Sequence, residues 1–172
     1  MSALAVENPD DKKTLSDILP EANDEETIGA LTFKVQQLMY LRLWLDVPMH
    51  GQDARTRNQF MKLILPTLQE AEEDRIAKCK ELAEKDGEGN AKMIDGVKGQ
   101  SQFDLSPENK KALEEYLAKA YNEELTIDVL PSNRKLLKAT KVLVFDKIGE
   151  AEQFGMEEGR VYSDICEAFE KV

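Results

Sequence analysis

Thr27-Ile-Gly-Ala-Leu-Thr-Phe-Lys-Val-Gln-Gln-Leu-Met-Tyr-Leu-Arg-Leu-Trp-Leu-Asp46 is the stretch on which the fold turns. Ile28, Leu31, Val35, Leu38 and Leu45 recur at the three-four spacing of one helical face, and Phe33, Leu41 and Trp44 widen that face. The acidic run Asp24-Glu25-Glu26 before it suits the positive end of a helix dipole. The spacing therefore predicts a long first helix over 27–46. Val47-Pro48-Met49-His50-Gly51 ends it, because Pro48 restricts its predecessor and Gly51 permits a left-handed turn. Asp53 is then the candidate cap of a second helix reaching about residue 85. Its buried stripe is Phe60, Met61, Ile64, Leu68, Ala71, Ile76, Cys79, Leu82 and Ala83, with Pro66 inside the pattern predicting a kink. Glu70, Glu72, Glu73 and Asp74, followed by Arg75, Lys78 and Lys80, give that helix a solvated face laced by i,i+4 pairs. Two long helices with so short a connection are expected to pack antiparallel.

Beyond them the pattern changes. Asp86-Gly87-Glu88-Gly89-Asn90 reads as a loop, and residues 91–103 as a hairpin turning on Asp95-Gly96. Ser106-Pro107 opens a third helix with a cap and a first-turn proline, carrying Leu113, Tyr116, Leu117 and Ala120 inward. Residues 125–130 alternate apolar and polar side chains until Pro131, the mark of a strand expected to pair with the hairpin. Ser132 caps a fourth helix in this reading, although Lys141-Val-Leu-Val-Phe145 also suits a strand. A loop over 149–159 precedes a short amphipathic helix carrying Val161, Tyr162, Ile165, Cys166 and Phe169. The expected class is α+β and mainly helical: a long antiparallel helical hairpin packed with a small antiparallel sheet (hairpin plus one strand) and C-terminal helices. The division is an acidic arm over 1–26, the helical hairpin with its sheet over 27–131, and a C-terminal helical extension over 132–172.

Charge narrows the function classes. The 172 residues hold 34 acids against 23 bases, a net charge of −11. Residues 1–26 hold eight acids and two bases, so a net −6 sits in the arm and direct nucleic-acid binding is disfavoured. Within the arm, Thr14-Leu-Ser-Asp-Ile-Leu-Pro20 sets Leu15, Ile18 and Leu19 at i, i+3, i+4, a one-sided helical turn that packs on its own domain or clips onto a neighbour. The densest apolar run, 38–45, is interrupted by Arg42 and is far short of a membrane span. Two cysteines 87 residues apart, and no apolar segment after a basic start, point to the cytosol rather than to secretion.

Candidate chemistry is sparse. One histidine and two distant cysteines cannot supply four zinc ligands, so no metal and no cofactor is expected. The 86–97 stretch fails the calcium-loop template, with Ala91 at the turn glycine and Val97 at the bidentate glutamate. Gly96-Val-Lys-Gly99 lacks the length and the Lys-Ser/Thr pair of a phosphate-binding loop. His50, flanked by Asp46 and Asp53, is the one candidate general base, and Cys79 or Cys166 beside it the one candidate thiol nucleophile. Each of these residues also has an ordinary reading, a solvated loop histidine and two small core hydrophobes.

The order of elements carries a resemblance. Asp46-Val-Pro-Met49, Arg55-Thr-Arg57, Glu72-Glu-Asp-Arg75, Ala83-Glu-Lys-Asp86-Gly-Glu-Gly-Asn90 and Glu123-Glu-Leu-Thr-Ile-Asp128 follow one another along the chain. This resembles a small family of unknown function encoded by tailed bacteriophages and prophages, with a helical hairpin, a Lys-x-Asp-x-x-Gly turn and a terminal Glu-Glu-x-x-Ile strand, over about residues 31–130. The resemblance implies no transferable activity. It implies a phage gene product made in the bacterial host cytoplasm. The expectation is a non-enzymatic interaction protein, either a minor virion component or an assembly factor, that binds a protein partner or a second copy through apolar helix faces. Leu38, Leu41 and Trp44 on the first helix are its expected contact residues, with Leu15 and Ile18 in the arm. The alternative is an acidic inhibitor of a host nucleic-acid-binding or defence protein, whose complex would weaken steeply with salt.

Overall fold

A computed structural model of the protein describes residues 26–96, 100–151 and 153–172. Strand β1 (Gly29–Lys34) leads directly into helix α1 (Val35–Leu45), and α2 (Gly51–Leu82) follows. A short hairpin, β2 (Met93–Asp95) and β3 (Ser101–Phe103), precedes α3 (Pro107–Ala120) and β4 (Glu124–Val129). Helix α4 (Pro131–Val142) runs into a π-helical stretch, Leu143–Ile148, and a last turn, α5 (Gly149–Ala151), before α6 (Met156–Phe169).

The fold is α+β and mainly helical, with its sheet assembled differently from the sequence reading. The first half of the expected long helix is a strand. Leu31 and Phe33 are fully buried while Thr32 and Lys34 are not, the period-two alternation of a half-buried strand. In this run Leu31 and Val35 fit helical and strand periods alike. What decides is a partner distant in sequence: β1 pairs antiparallel with β4, Leu31 opposite Ile127 and Phe33 opposite Leu125. Strand β4 therefore does not pair with the hairpin, which forms a separate two-stranded sheet. The hairpin does not turn tightly on Asp95-Gly96 either. Asp95 pairs with Ser101, and the Gly96 amide bonds the Gln100 carbonyl across a longer connection.

The ends of the helices are satisfied by neighbouring chain. The Lys34 amide bonds the Gln37 side chain at 2.8 Å, and the Val35 and Gln36 amides bond the carbonyls of Glu123 and Tyr121. At the other end of α1, Arg57 donates to the carbonyls of Val47 (2.8 Å) and Leu45 (3.4 Å). His50, not Asp53, occupies the cap position of α2, Gly51 takes the expected positive φ, and the helix continues through Pro66. Ser106 caps α3 as expected, accepting the Asn109 amide at 3.1 Å. Asn109 Nδ2 in turn bonds the Leu82 carbonyl, tying the start of α3 to the end of α2. Leu130, not Ser132, is the cap residue of α4, with the Asn133 side chain accepting its amide. The stretch 141–145 is helical rather than strand.

One core takes residues from both sides of the 131/132 boundary. Leu31, Phe33, Leu38, Leu41 and Phe60 pack in the same cluster as Leu137, Ile148, Ile165 and Phe169. Phe169 lies with its ring centroid 5.4 Å from that of Phe33 and 6.0 Å from that of Phe60. The C-terminal segment thus belongs to the core rather than extending from it. Helix α3 contributes little to it: α3 has no buried residue, and Leu113, Tyr116, Leu117 and Ala120 are only half-buried.

Candidate functional site

The apolar side chains of α1 divide into two sets. Val35, Leu38, Leu41, Trp44 and Leu45 are buried. Trp44 packs edge-on against Phe154 (5.0 Å) and Tyr162 (5.9 Å). Leu38, Leu41 and Trp44, the expected contact residues, are therefore consumed by the protein's own core, because β1 and α6 as well as α2 pack against this helix. Leu15 and Ile18 lie outside the described residues. The apolar surplus of α1 is instead Met39, 42% exposed, and Leu43, 66% exposed, which stand four residues apart on one helical edge.

These two side chains overlook a cleft of about 760 Å³. Gln36, Met39, Tyr40, Arg42 and Leu43 line it from α1 with the cap residue Asp46, and Leu68, Ala71 and Glu72 from α2. Tyr121, just past α3, completes the lining. Helix α1 packs against α2, and the Leu45 carbonyl at its end accepts from Arg57 in the second turn of α2, the arrangement of an antiparallel helical pair joined by a short connection.

The charged rim is unevenly paired. Glu72 accepts two hydrogen bonds of 2.7 Å from the Arg75 guanidinium. That bonding holds the Glu72 carboxyl below the usual carboxylate range, while burial pushes the Tyr121 hydroxyl up. Arg42 forms no ion pair among the described residues. The helix-surface ion pairs that do form, Glu72 with Arg75 and Lys78 with Glu81, are spaced i,i+3 rather than the expected i,i+4.

The residues considered for chemistry are not assembled. His50 is exposed and makes no side-chain capping bond. Cys79 lies 29 residues further along α2, about 40 Å at the rise of a helix. Cys166 sits beside Tyr162 on α6, where burial raises the pKa of its thiol. The 86–90 turn closes on itself: Asp86 Oδ1 accepts the amides of Glu88 and Asn90 at 2.9 and 2.8 Å, and Gly89 takes a positive φ. No cluster of three or more candidate metal ligands occurs among the described residues, and no helix there is long and apolar enough to cross a membrane.

A smaller cleft of about 330 Å³ lies between Arg75 and Cys79 of α2, the hairpin, and Lys110 and Leu113 of α3. Sequence reasoning missed both clefts. Met39 and Leu43 are apolar residues beside the main stripe, but only the packing of β1, α2 and α6 against α1 decides which of its apolar residues are left over.

Compared with known families, with curated proteins and with solved structures, the chain matches none.

Proposed function

We propose that this is a non-enzymatic interaction protein of a tailed bacteriophage, a minor virion component or assembly factor working in the bacterial host, and that it docks a protein partner in the α1–α2 cleft. The observation that carries the reading is the pair Met39 and Leu43, left exposed above an apolar floor of Leu68 and Ala71. A leucine side chain gains about 1.5–3 kcal/mol on full burial, so covering Leu43 is worth roughly tenfold or more in affinity. The phage context is supported by the order of motifs along residues 31–130 and by nothing in the geometry.

The test is Leu43→Asp, at a position 66% exposed, where the loss of helix propensity and the carboxylate in the last turn of α1 should cost about 1 kcal/mol of folding stability, a fraction of the total. Mass spectrometry of purified particles from the phage encoding the chain compares the two forms. A virion component is present as wild type and lost as L43D; an assembly factor is absent in both cases but particle yield falls with L43D. Equal incorporation and equal yield, with L43D folded by circular dichroism, would refute the reading.

A further inference from the structure

We propose that the outer face of α4 is a second docking surface, built for a short acidic helix of a partner protein. It goes beyond the α1–α2 cleft and shares no residue with it.

Charge and its placement carry the inference. Four bases, Arg134, Lys135, Lys138 and Lys141, and no acid stand between Pro131 and Phe145, in a chain of net −11. At 3.6 residues per turn these four and Val142 fall within about one third of the helix circumference. The opposite face, with Leu137, Thr140, Leu143 and Val144, is buried, so the basic side chains ride on an anchored helix. Arg134, Lys135 and Lys138 are exposed, and Lys141 Nζ stands 5.6 Å from the Phe145 ring centroid. None of the four forms an ion pair among the described residues.

The extent of the face and one apolar side chain select the partner. Arg134 to Lys141 covers about 10 Å of helix, or two turns. Exposed acids bound it along the chain, Asp128 before and Asp146 and Glu150 after. A nucleic-acid backbone is charged continuously and would run past the four bases into an acidic surface. With fields screened over about 8 Å at physiological salt, an acidic helix of two turns meets the bases alone. Val142, 55% exposed inside the same arc, adds an apolar contact that a phosphate backbone does not use. The fitting partner is therefore an amphipathic helix with carboxylates spaced as these bases are and an apolar residue among them.

Fluorescence anisotropy with the full chain tests it, the probe being a labelled peptide of about 14 residues with glutamates at i, i+4 and i+7 and leucine at i+3. At about 50 mM salt the wild type should bind. The double variant Arg134→Glu, Lys138→Glu should bind at least about tenfold more weakly, because an exposed ion pair is worth up to about fivefold and each reversal adds repulsion. Lys110→Glu, Lys111→Glu, the same change of net charge at two exposed positions on α3, should weaken binding by less than about twofold. Val142→Ser should cost about two- to fivefold with this peptide and nothing with its serine-for-leucine analogue. All three variants should keep the wild-type circular dichroism, since the changed side chains lie outside the core.

No binding of the wild type up to about 1 mM peptide overturns the proposal. So do equal losses in the two charge variants, an unchanged affinity in V142S, or tighter binding of an oligothymidylate of about 15 nucleotides than of the peptide. A wild-type dimer in sedimentation at about 50 mM salt that R134E/K138E dissolves would also overturn it, by making the occupant a second copy.

Discussion

Replacing Phe169 by Ala tests whether the C-terminal helix is a structural member of the core. The side chain is fully buried, bridging β1 through Phe33 and α2 through Phe60, with ring centroids 5.4 and 6.0 Å away. Truncating a buried phenylalanine costs about 3–5 kcal/mol, from lost transfer energy plus the cavity left behind. The upper half of that range applies here, because two aromatic pairs go with it at about 0.5–1.5 kcal/mol each and because walls drawn from a strand and two helices cannot all collapse inward. Against a total of about 5–15 kcal/mol, the loss is a large share of the stability. Urea unfolding followed by far-ultraviolet circular dichroism reads it directly. With a slope of about 2 kcal/mol/M, the midpoint should fall by about 2 M with the slope unchanged. Phe169→Leu, which keeps most of the volume, should cost less than about 1.5 kcal/mol. Were 132–172 a detachable extension, F169A would leave the main transition in place and melt only α6. A midpoint shift below about 0.5 M in a single transition, or a second early transition, would refute the single-core account.

Three further outcomes follow from local contacts. Gly149→Ala should destabilise by about 1–3 kcal/mol, although alanine ordinarily favours helix, because its methyl group would meet the Tyr162 hydroxyl, which is held by the Val144 carbonyl at 3.1 Å and by stacking on Phe154 at 4.6 Å. In a Tyr162→Phe background the cost should fall by at least half, a coupling that denaturant unfolding of the four-member mutant cycle measures. Burial first, and the neighbouring Cys166 second, push the Tyr162 hydroxyl up to about 12, so the folded state favours the protonated phenol: its contribution to stability is complete below pH 10 and is lost as pH rises from 10 towards 12. Ultraviolet titration should show one tyrosine ionising near pH 12 that is missing in Y162F. Ser106→Ala removes the cap of α3 and should cost about 1 kcal/mol by thermal unfolding, with the loss seen as faster amide exchange at Asn109.

The parts of the fold legible in the sequence are those decided by residues close together in it. Ser106-Pro107 fixes the start of α3 through a cap and a pre-set φ, and both act within three residues. The strand over 124–129 is written in its own alternation, and the spacing of Val161, Ile165 and Phe169 is written in α6. What was illegible depends on distant partners. Leu31, Phe33 and Val35 satisfy a strand, Leu31, Val35 and Leu38 satisfy a helix, and only β4, some 90 residues on, supplies the pairing that chooses. The same holds for the hairpin turn: Asp95-Gly96 has the chemistry of a tight turn, yet the Gln100 carbonyl takes the Gly96 amide and sets a longer connection.

The candidate site fails to show in the sequence for the same reason, carried one level higher. Helix α1 holds more apolar side chains than packing against α2 alone can cover, and that excess reads as a surface for another molecule. Folding gives most of the excess an internal destination. Leu38 and Leu41 are sealed completely in the shared core, and Trp44 enters the aromatic group with Tyr40, Phe154 and Tyr162. The residues left exposed are Met39 and Leu43, on the edge that lines the cleft with Leu68 and Ala71 of α2. An apolar side chain can serve the interior or a partner but not both. On this helix the 42% and 66% exposures of Met39 and Leu43, rather than the hydropathy of the run, identify the apolar side chains the core does not use.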